Sequence, residues 1–228
     1  MPLALFDLDN TLLGGDSDYL WGRFLGEIGV VDREHYEREN ERFYQDYREG
    51  RLDIMAFLAF SLRPLAENSR ADLDAWHARF MAERIEPLIS RAAQDLVERH
   101  RGAGDTLVII TATNAFVTAP IARRFGIPHL IATEAEEIDG RFTGRVAGTP
   151  SFREGKVTRL EAWLQAHGEG LDGAWFYSDS HNDLPLLSRV DHPVAVDPDP
   201  ILADHAARAG WPQISLMDTP HPVGHRHP

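Results

Sequence analysis

The chain is 228 residues long, with 43% apolar and 26% charged residues, enough for a folded core domain carrying a smaller one. Lys and Arg number 23 against 36 Asp and Glu, and the net charge of −13 repels both the phosphates of nucleic acid and anionic lipid headgroups, so neither is a favoured partner. With no cysteine, disulfides, thiolate metal sites and cysteine nucleophiles are excluded.

Apolar runs such as Leu107 to Ile110 are too short to span a bilayer. The first residues lack both the basic and the long apolar segment of a signal peptide, which predicts a cytoplasmic setting.

In chain order, residues 3–6 are an apolar run that meets Asp7 abruptly, as a buried parallel strand ends at the rim of a sheet. From about 17 to 83 the spacing is helical. Tyr19, Leu20, Phe24 and Ile28 mark one face; Phe43, Tyr44 and Tyr47 another; Met55, Phe57, Leu58 and Leu62 a third; and Leu73, Trp76, Phe80 and Met81 a fourth. This predicts a bundle of three or four helices with Trp21, Phe24, Tyr44 and Tyr47 mainly in its core, one of them open to a pocket.

Strands and helices then alternate. A helix over 88–101 stops at Gly102, a strand follows over 106–110, and a helix over 116–125 is closed by Gly126 and Pro128. A strand over 129–132 leads into a hairpin over 137–146 around Asp139-Gly140. A helix over 152–167 and strands over 174–177 and 193–196 complete the pattern, and residues 220–228 form a loose tail. The alternation predicts an α/β fold: a doubly wound, mostly parallel sheet over 1–15 and 85–228, with an all-helical cap inserted over 16–84. The insert would overhang the sheet edge at which such folds bind ligands.

Chemistry concentrates at the ends of the apolar strands. In Phe6-Asp7-Leu8-Asp9-Asn10-Thr11, Asp7 and Asp9 stand two apart, on the same side of the chain. Two such carboxylates repel unless a cation or proton sits between them. A bare Asp-x-Asp is also at home in an exposed turn, but here it follows a buried strand. Tyr177-Ser178-Asp179-Ser180-His181-Asn182-Asp183 brings Asp179 and Asp183 to the same edge, where hard oxygen ligands suit Mg²⁺; either residue can equally cap the next helix. Thr111, with the backbone N–H groups of Ala112 and its neighbours opening a helix, offers an anion site. Lys156 begins a helix just before the last acidic segment.

Together Asp7-x-Asp9-x-Thr11, Thr111, Lys156 and Asp179-x-x-x-Asp183 resemble, in order and over nearly the whole chain, the four motifs of the haloacid dehalogenase superfamily of phosphohydrolases. A helical cap between the first two motifs is similar to the branch that includes phosphoserine phosphatase. Gly15-Asp16-Ser17-Asp18-Tyr19-Leu20-Trp21 and Phe152-Arg153-Glu154-Gly155-Lys156 resemble a sister group, some of whose members are assigned as histidinol-phosphate phosphatases. What the resemblance implies is hydrolysis of a small phosphorylated metabolite through an aspartyl-phosphate. Asp7 is then the nucleophile and Asp9 the general acid and base. Asp7, Asp179 and the backbone carbonyl of Asp9 ligate Mg²⁺, with Asp183 holding a metal-bound water or Lys156. Thr111, Ala112, Lys156 and Asn182 bind phosphate.

Two departures stand out. Ser178 and Ser180 replace the glycines flanking the acidic motif, and Ala112 and Thr113 replace those of the second motif. Asp16 falls where the relative's cap carboxylate binds a substrate amine, Asp18 adds a second charge, and Arg63 is the candidate partner for a substrate carboxylate. The two acidic residues favour an amine-bearing substrate such as histidinol phosphate or phosphoserine, and the narrow capped site disfavours phosphoproteins. Rival readings are a phosphotransferase passing the group to an alcohol, and a non-catalytic phosphate-binding regulatory module. No Gly-x-x-x-x-Gly-Lys, Gly-x-Gly-x-x-Gly or Gly-x-Ser-x-Gly occurs to support nucleotide binding or a serine hydrolase. His221, His225 and His227 are assigned to the tail.

Overall fold

The computed structural model describes residues 1–217; the tail with His221, His225 and His227 lies outside them. Strand β1 (Leu3–Phe6) is wholly buried and is followed by five helices, α1 (Ser17–Glu27), α2 (Arg33–Arg48), α3 (Ile54–Ser61), α4 (Arg63–Glu67) and α5 (Arg70–Phe80). Then come α6 (Arg91–Ala103), β2 (Thr106–Asn114), α7 (Ala115–Arg124), β3 (His129–Ile138) and β4 (Arg141–Ala147). The chain closes with α8 (Glu154–His167), β5 (Trp175–Ser178), α9 (Leu184–Leu187), β6 (His192–Val196), α10 (Pro200–Ala209) and β7 (Gln213–Ile214). Among the described residues no helix is long and apolar enough to cross a membrane.

The strands form one sheet in the order β4-β3-β2-β1-β5-β6-β7, parallel except for β3 with β4. Successive residues of a strand point to opposite faces. Ala4 and Phe6 therefore enter a core with α6, α7 and the helical insert, while Leu3 and Leu5 enter a second core under α8, α9 and α10. The insert shares the first core through Trp21, Phe24, Leu58, Leu73 and Phe80. It leaves and returns at one place, where Leu13 bridges Ile89 and the Gly14 N–H donates to the Leu88 carbonyl at 2.9 Å.

Local chemistry explains where the helices start. Asp16, Asp32, Asp53, Ser69, Ser90 and Asn114 each accept a first-turn N–H from their side chains. Several expectations are corrected. The insert has five helices, because Pro64 and the Ser69 cap divide the apolar stretch after α3. Gly102 lies inside α6; the helix stops at Gly104, which takes the left-handed conformation at φ +83°. The hairpin turn at Asp139-Gly140 has φ of +50° and +75°, as a two-residue turn between twisted strands requires. Strand β2 continues to Asn114, so Ala112 and Thr113 lie in extended chain and the next helix opens only at Ala115.

Candidate active site

All four expected segments converge at the carboxyl ends of β1, β2 and β5. Asp7 extends the ladder by one residue, its N–H donating to the Tyr177 carbonyl at 2.9 Å. Its carboxylate Oδ1 accepts from Lys156 Nζ at 2.7 Å, and the same ammonium donates to Asp183 Oδ2 at 2.8 Å. Ser178 Oγ also donates to Asp183 Oδ2, at 2.6 Å. One of the serines that replace the family's glycines thus holds the carboxylate that holds the lysine. Burial pushes the Asp7 carboxyl up to about 7 against the pull of Lys156, with Asp183 and Asp9 adding to the rise. Lys156 is buried yet held charged by its two carboxylates.

Asp9 stands on the turn that Asn10 makes at φ +57°. Its Oδ1 accepts from the Ser17 N–H and its Oδ2 from Thr113 Oγ1, both at 2.7 Å. Burial, reinforced by the charge of Asp16, raises its carboxyl to about 6. The Thr11 hydroxyl donates to Asp179 Oδ1 and accepts from the Asp179 N–H, each at 3.1 Å. Burial and the charges of Asp7 and Asp183 push Asp179 well above the usual carboxylate range. Thr111 is buried, its hydroxyl accepting from the Thr113 N–H at 3.2 Å.

An open cavity whose lining includes Asp7, Asp9, Thr111, Lys156 and Asp183 stands over this floor. Asp16 and Asp18 line it at the start of α1, where burial raises both carboxyls. Asp18 accepts from Asn114 Nδ2 at 3.3 Å. Asn182 lines it too, with its Oδ1 already accepting from Arg153 Nε at 2.9 Å. Arg63 does not join the site: its side chain is 47% exposed, 3.7 Å from Glu67, and outside the residues lining the cavity. Two expectations thereby change. Arg63 stands outside the lining of the cavity, and Ala112 lines it from a strand rather than from a helix terminus.

Three residues make contacts that sequence reasoning did not foresee, two between insert and core and one within the core. Arg153, at φ +50°, reaches the Gly50 carbonyl at 2.7 Å as well as Asn182. Tyr47 Oη donates to Ser180 Oγ at 2.8 Å, so the second replacing serine is also used. Thr113 orients Asp9. Tyr44 and Tyr47 line the cavity, whereas Trp21 and Phe24 are bundle core, as their helical spacing allows.

Among the described residues no three acidic, histidine or cysteine side chains form a closed metal cage. Mg²⁺ needs no such cage, since it is held by one or two carboxylates with waters and substrate phosphate oxygens. Asp7 and Asp179, two buried carboxyls of which the charge of Asp7 disfavours ionisation of Asp179, fit that donor set.

The family profile described as haloacid dehalogenase-like hydrolase matches residues 4–188. The chain is 49% identical to a histidinol-phosphatase of Neisseria meningitidis serogroup C over 94% of this chain and 98% of that one. A crystal structure of a protein of unknown function from Bordetella pertussis Tohama I superimposes with a TM-score of 0.90 at 48% identity, over 95% of this chain and 99% of that one. A substrate-bound phosphoserine phosphatase shares the fold, with a TM-score of 0.70 at 20% identity over 93% and 92% of the two chains.

Proposed function

Given that the chain belongs to the haloacid dehalogenase-like hydrolases and is a phosphatase of that family, we propose that it is a Mg²⁺-dependent phosphomonoesterase acting on a small amine-bearing metabolite through an aspartyl-phosphate. The observation that carries this reading is Asp7: a buried carboxylate fixed by Lys156, beside a second carboxyl poised near neutrality, at the floor of one cavity.

An oxygen of Asp7 attacks phosphorus, the bond from phosphorus to the ester oxygen breaks, and Asp9 delivers a proton to the departing alcohol. Asp9 then takes a proton from water as its oxygen attacks the phosphoryl group, and the bond to Asp7 breaks to release phosphate. A carboxyl near 6 can serve in both directions at neutral pH. Lys156 and the Thr111 hydroxyl offset the charge of the transferring group. Asp7, Asp179 and the main-chain oxygen of Asp9 would hold the cation, with Asp183 keeping Lys156 in place. Bound there, Mg²⁺ supplies positive charge against the phosphoryl oxygens and the crowded carboxylates. Residues 16–84 act as the cap, excluding water from the leaving-group step.

Asp16 and Asp18 favour a cationic leaving group, and the name of the Neisseria relative makes histidinol phosphate the first compound to assay. The test is Mg²⁺-dependent phosphate release by the wild type and Asp7→Asn, with intact mass after acid quench. Release that vanishes in the variant, and one added phosphoryl group on the wild type alone, support the reading. Release that survives Asp7→Asn overturns it.

A further inference from the structure

The cavity has two walls of different chemistry. One is acidic, with Asp16 and Asp18 from the start of α1; the other is aromatic, with Phe43 and Tyr44 from α2, Phe57 from α3 and Phe152 just before α8. The rings brace one another: Phe43 and Phe57 meet edge to face at 5.4 Å, Tyr44 lies 6.0 Å from Tyr19, and Phe152 lies 6.2 Å from Tyr47. Such a surface is set before a ligand arrives, and it gains most from a flat apolar or heteroaromatic partner.

Cations are scarce. Among the described residues lining the cavity Lys156 is the only one, and it is already shared between Asp7 and Asp183. Arg153 is committed to Asn182 and the Gly50 carbonyl. A carboxylate on the leaving group would therefore find no uncommitted cation among these residues and two like charges, which costs far more than a missing contact. A primary ammonium fits Asp16 and Asp18, but alone it leaves the aromatic wall in water.

Resting on the phosphatase reading of Asp7, we propose that Phe43, Tyr44, Phe57 and Phe152 are specificity-determining residues. They take a planar ring of the leaving alcohol while Asp16 and Asp18 take its ammonium, and the site rejects leaving groups that carry a carboxylate. Recognition of ring and amine is then divided between the start of α1 and an aromatic wall that α2 and α3 of the insert share with Phe152 of the core.

Steady-state kinetics on four esters tests this: histidinol phosphate, with ring and amine; 3-(imidazol-4-yl)propyl phosphate, with the ring alone; ethanolamine phosphate, with the amine alone; and phosphoserine, with amine and carboxylate. The expected kcat/KM for the first exceeds each of the others by about tenfold or more. Tyr44→Ala and Phe57→Leu shrink its lead over ethanolamine phosphate, mainly through KM. Asp18→Asn shrinks its lead over the ring-only ester. Phosphoserine turned over as well as histidinol phosphate, or a lead unchanged in both wall variants with circular dichroism intact, overturns the assignment while leaving the phosphatase reading standing. Absence of Mg²⁺-dependent release from every ester sinks both.

Discussion

Lys156 and Asp7, 149 positions apart in the chain, meet ammonium to carboxylate at 2.7 Å inside the protein. Asp183 completes the arrangement on the other side of the ammonium. Removing the cation leaves two buried carboxylates without a countercharge, which typically costs about 3–5 kcal/mol. Lys156→Met should lose about that much by urea unfolding at pH 8 and less at pH 5, where the carboxyls can take protons. Phosphate release should vanish with it. An unfolding midpoint that does not move at pH 8 would show the ion pair to be energetically idle.

Burial of carboxyls, reinforced by their neighbours' charge, makes the metal-free protein sensitive to pH in a direction opposite to that of a salt-bridged surface acid. Asp7 titrates near 3.8 in the unfolded chain and near 7 in the fold, and Asp9 near 3.8 and 6. Between those values the folded protein holds protons that the unfolded chain has released, so stability falls as pH rises. Relative to Asp7→Asn, the metal-free wild type should lose stability from pH 4 to pH 7, at up to about 1.4 kcal/mol per pH unit, and level off above that. Mg²⁺ should raise the wild-type melting temperature more at pH 8 than at pH 5. A difference from Asp7→Asn that stays flat with pH would refute the buried-carboxyl account.

Asp9 is held by a backbone N–H from the insert and a hydroxyl from β2, so its two proposed roles can be separated by leaving group. Asp9→Asn should lower turnover of an alkyl phosphate by about 10²–10⁴-fold, the usual worth of acid–base help. An aryl ester with an acidic phenol needs no proton to depart. With it the variant should give a burst of about one equivalent and then stall, because no base activates water. Equal losses on both esters, without a burst, would remove Asp9 from proton transfer.

Arg153 and Tyr47 tie the insert to the core through Gly50 and Ser180. The Tyr47 bond joins neutral groups and contributes about 0.5–1.5 kcal/mol, whereas the one from the charged Arg153 contributes about 1.5–3 kcal/mol. Arg153→Ala with Tyr47→Phe should speed amide exchange in residues 43–60 and raise KM. Exchange confined to its wild-type rate would mean that these bonds do not control the opening of the insert.

The parts of the site that could be read from the chain are those fixed by a buried strand ending in acid. The apolar residues 3–6 place Asp7, and 175–178 place Asp179, because a parallel strand covered on both faces must be apolar until it reaches the rim. Asp139-Gly140 was legible because the turn chemistry is local. What escaped depends on contacts between distant segments. Ser178 and Ser180 look like lost glycines until Asp183 and Tyr47 arrive at their hydroxyls. Thr113 reads as a helix start, but Thr133 Oγ1 donates to the Ala112 carbonyl at 2.8 Å and keeps that stretch extended. Arg63 carries nothing in its sequence to say which side of α4 faces water. Gly102 and Gly104 differ only in which one the packing of α6 drives into the left-handed region.

Gly155, next to Lys156, shows how tightly the lysine's position is set by backbone. A Cβ there would sit 2.1 Å from the Pro150 carbonyl oxygen, a main-chain atom that cannot swing aside. Gly155→Ala must therefore displace the first turn of α8 and with it Lys156, whose ammonium has two partners within 2.8 Å. Overpacking of this kind costs about 1–3 kcal/mol, and activity should fall further than stability because both carboxylate contacts depend on the same turn. Gly168 ends the same helix at φ +67° with open space around its Cβ position. Gly168→Ala pays only the backbone cost of the left-handed conformation, about 1–2 kcal/mol, and should keep wild-type turnover. If the two variants lose turnover equally, the sensitivity belongs to α8 as a whole and the placement of Lys156 by Gly155 is refuted.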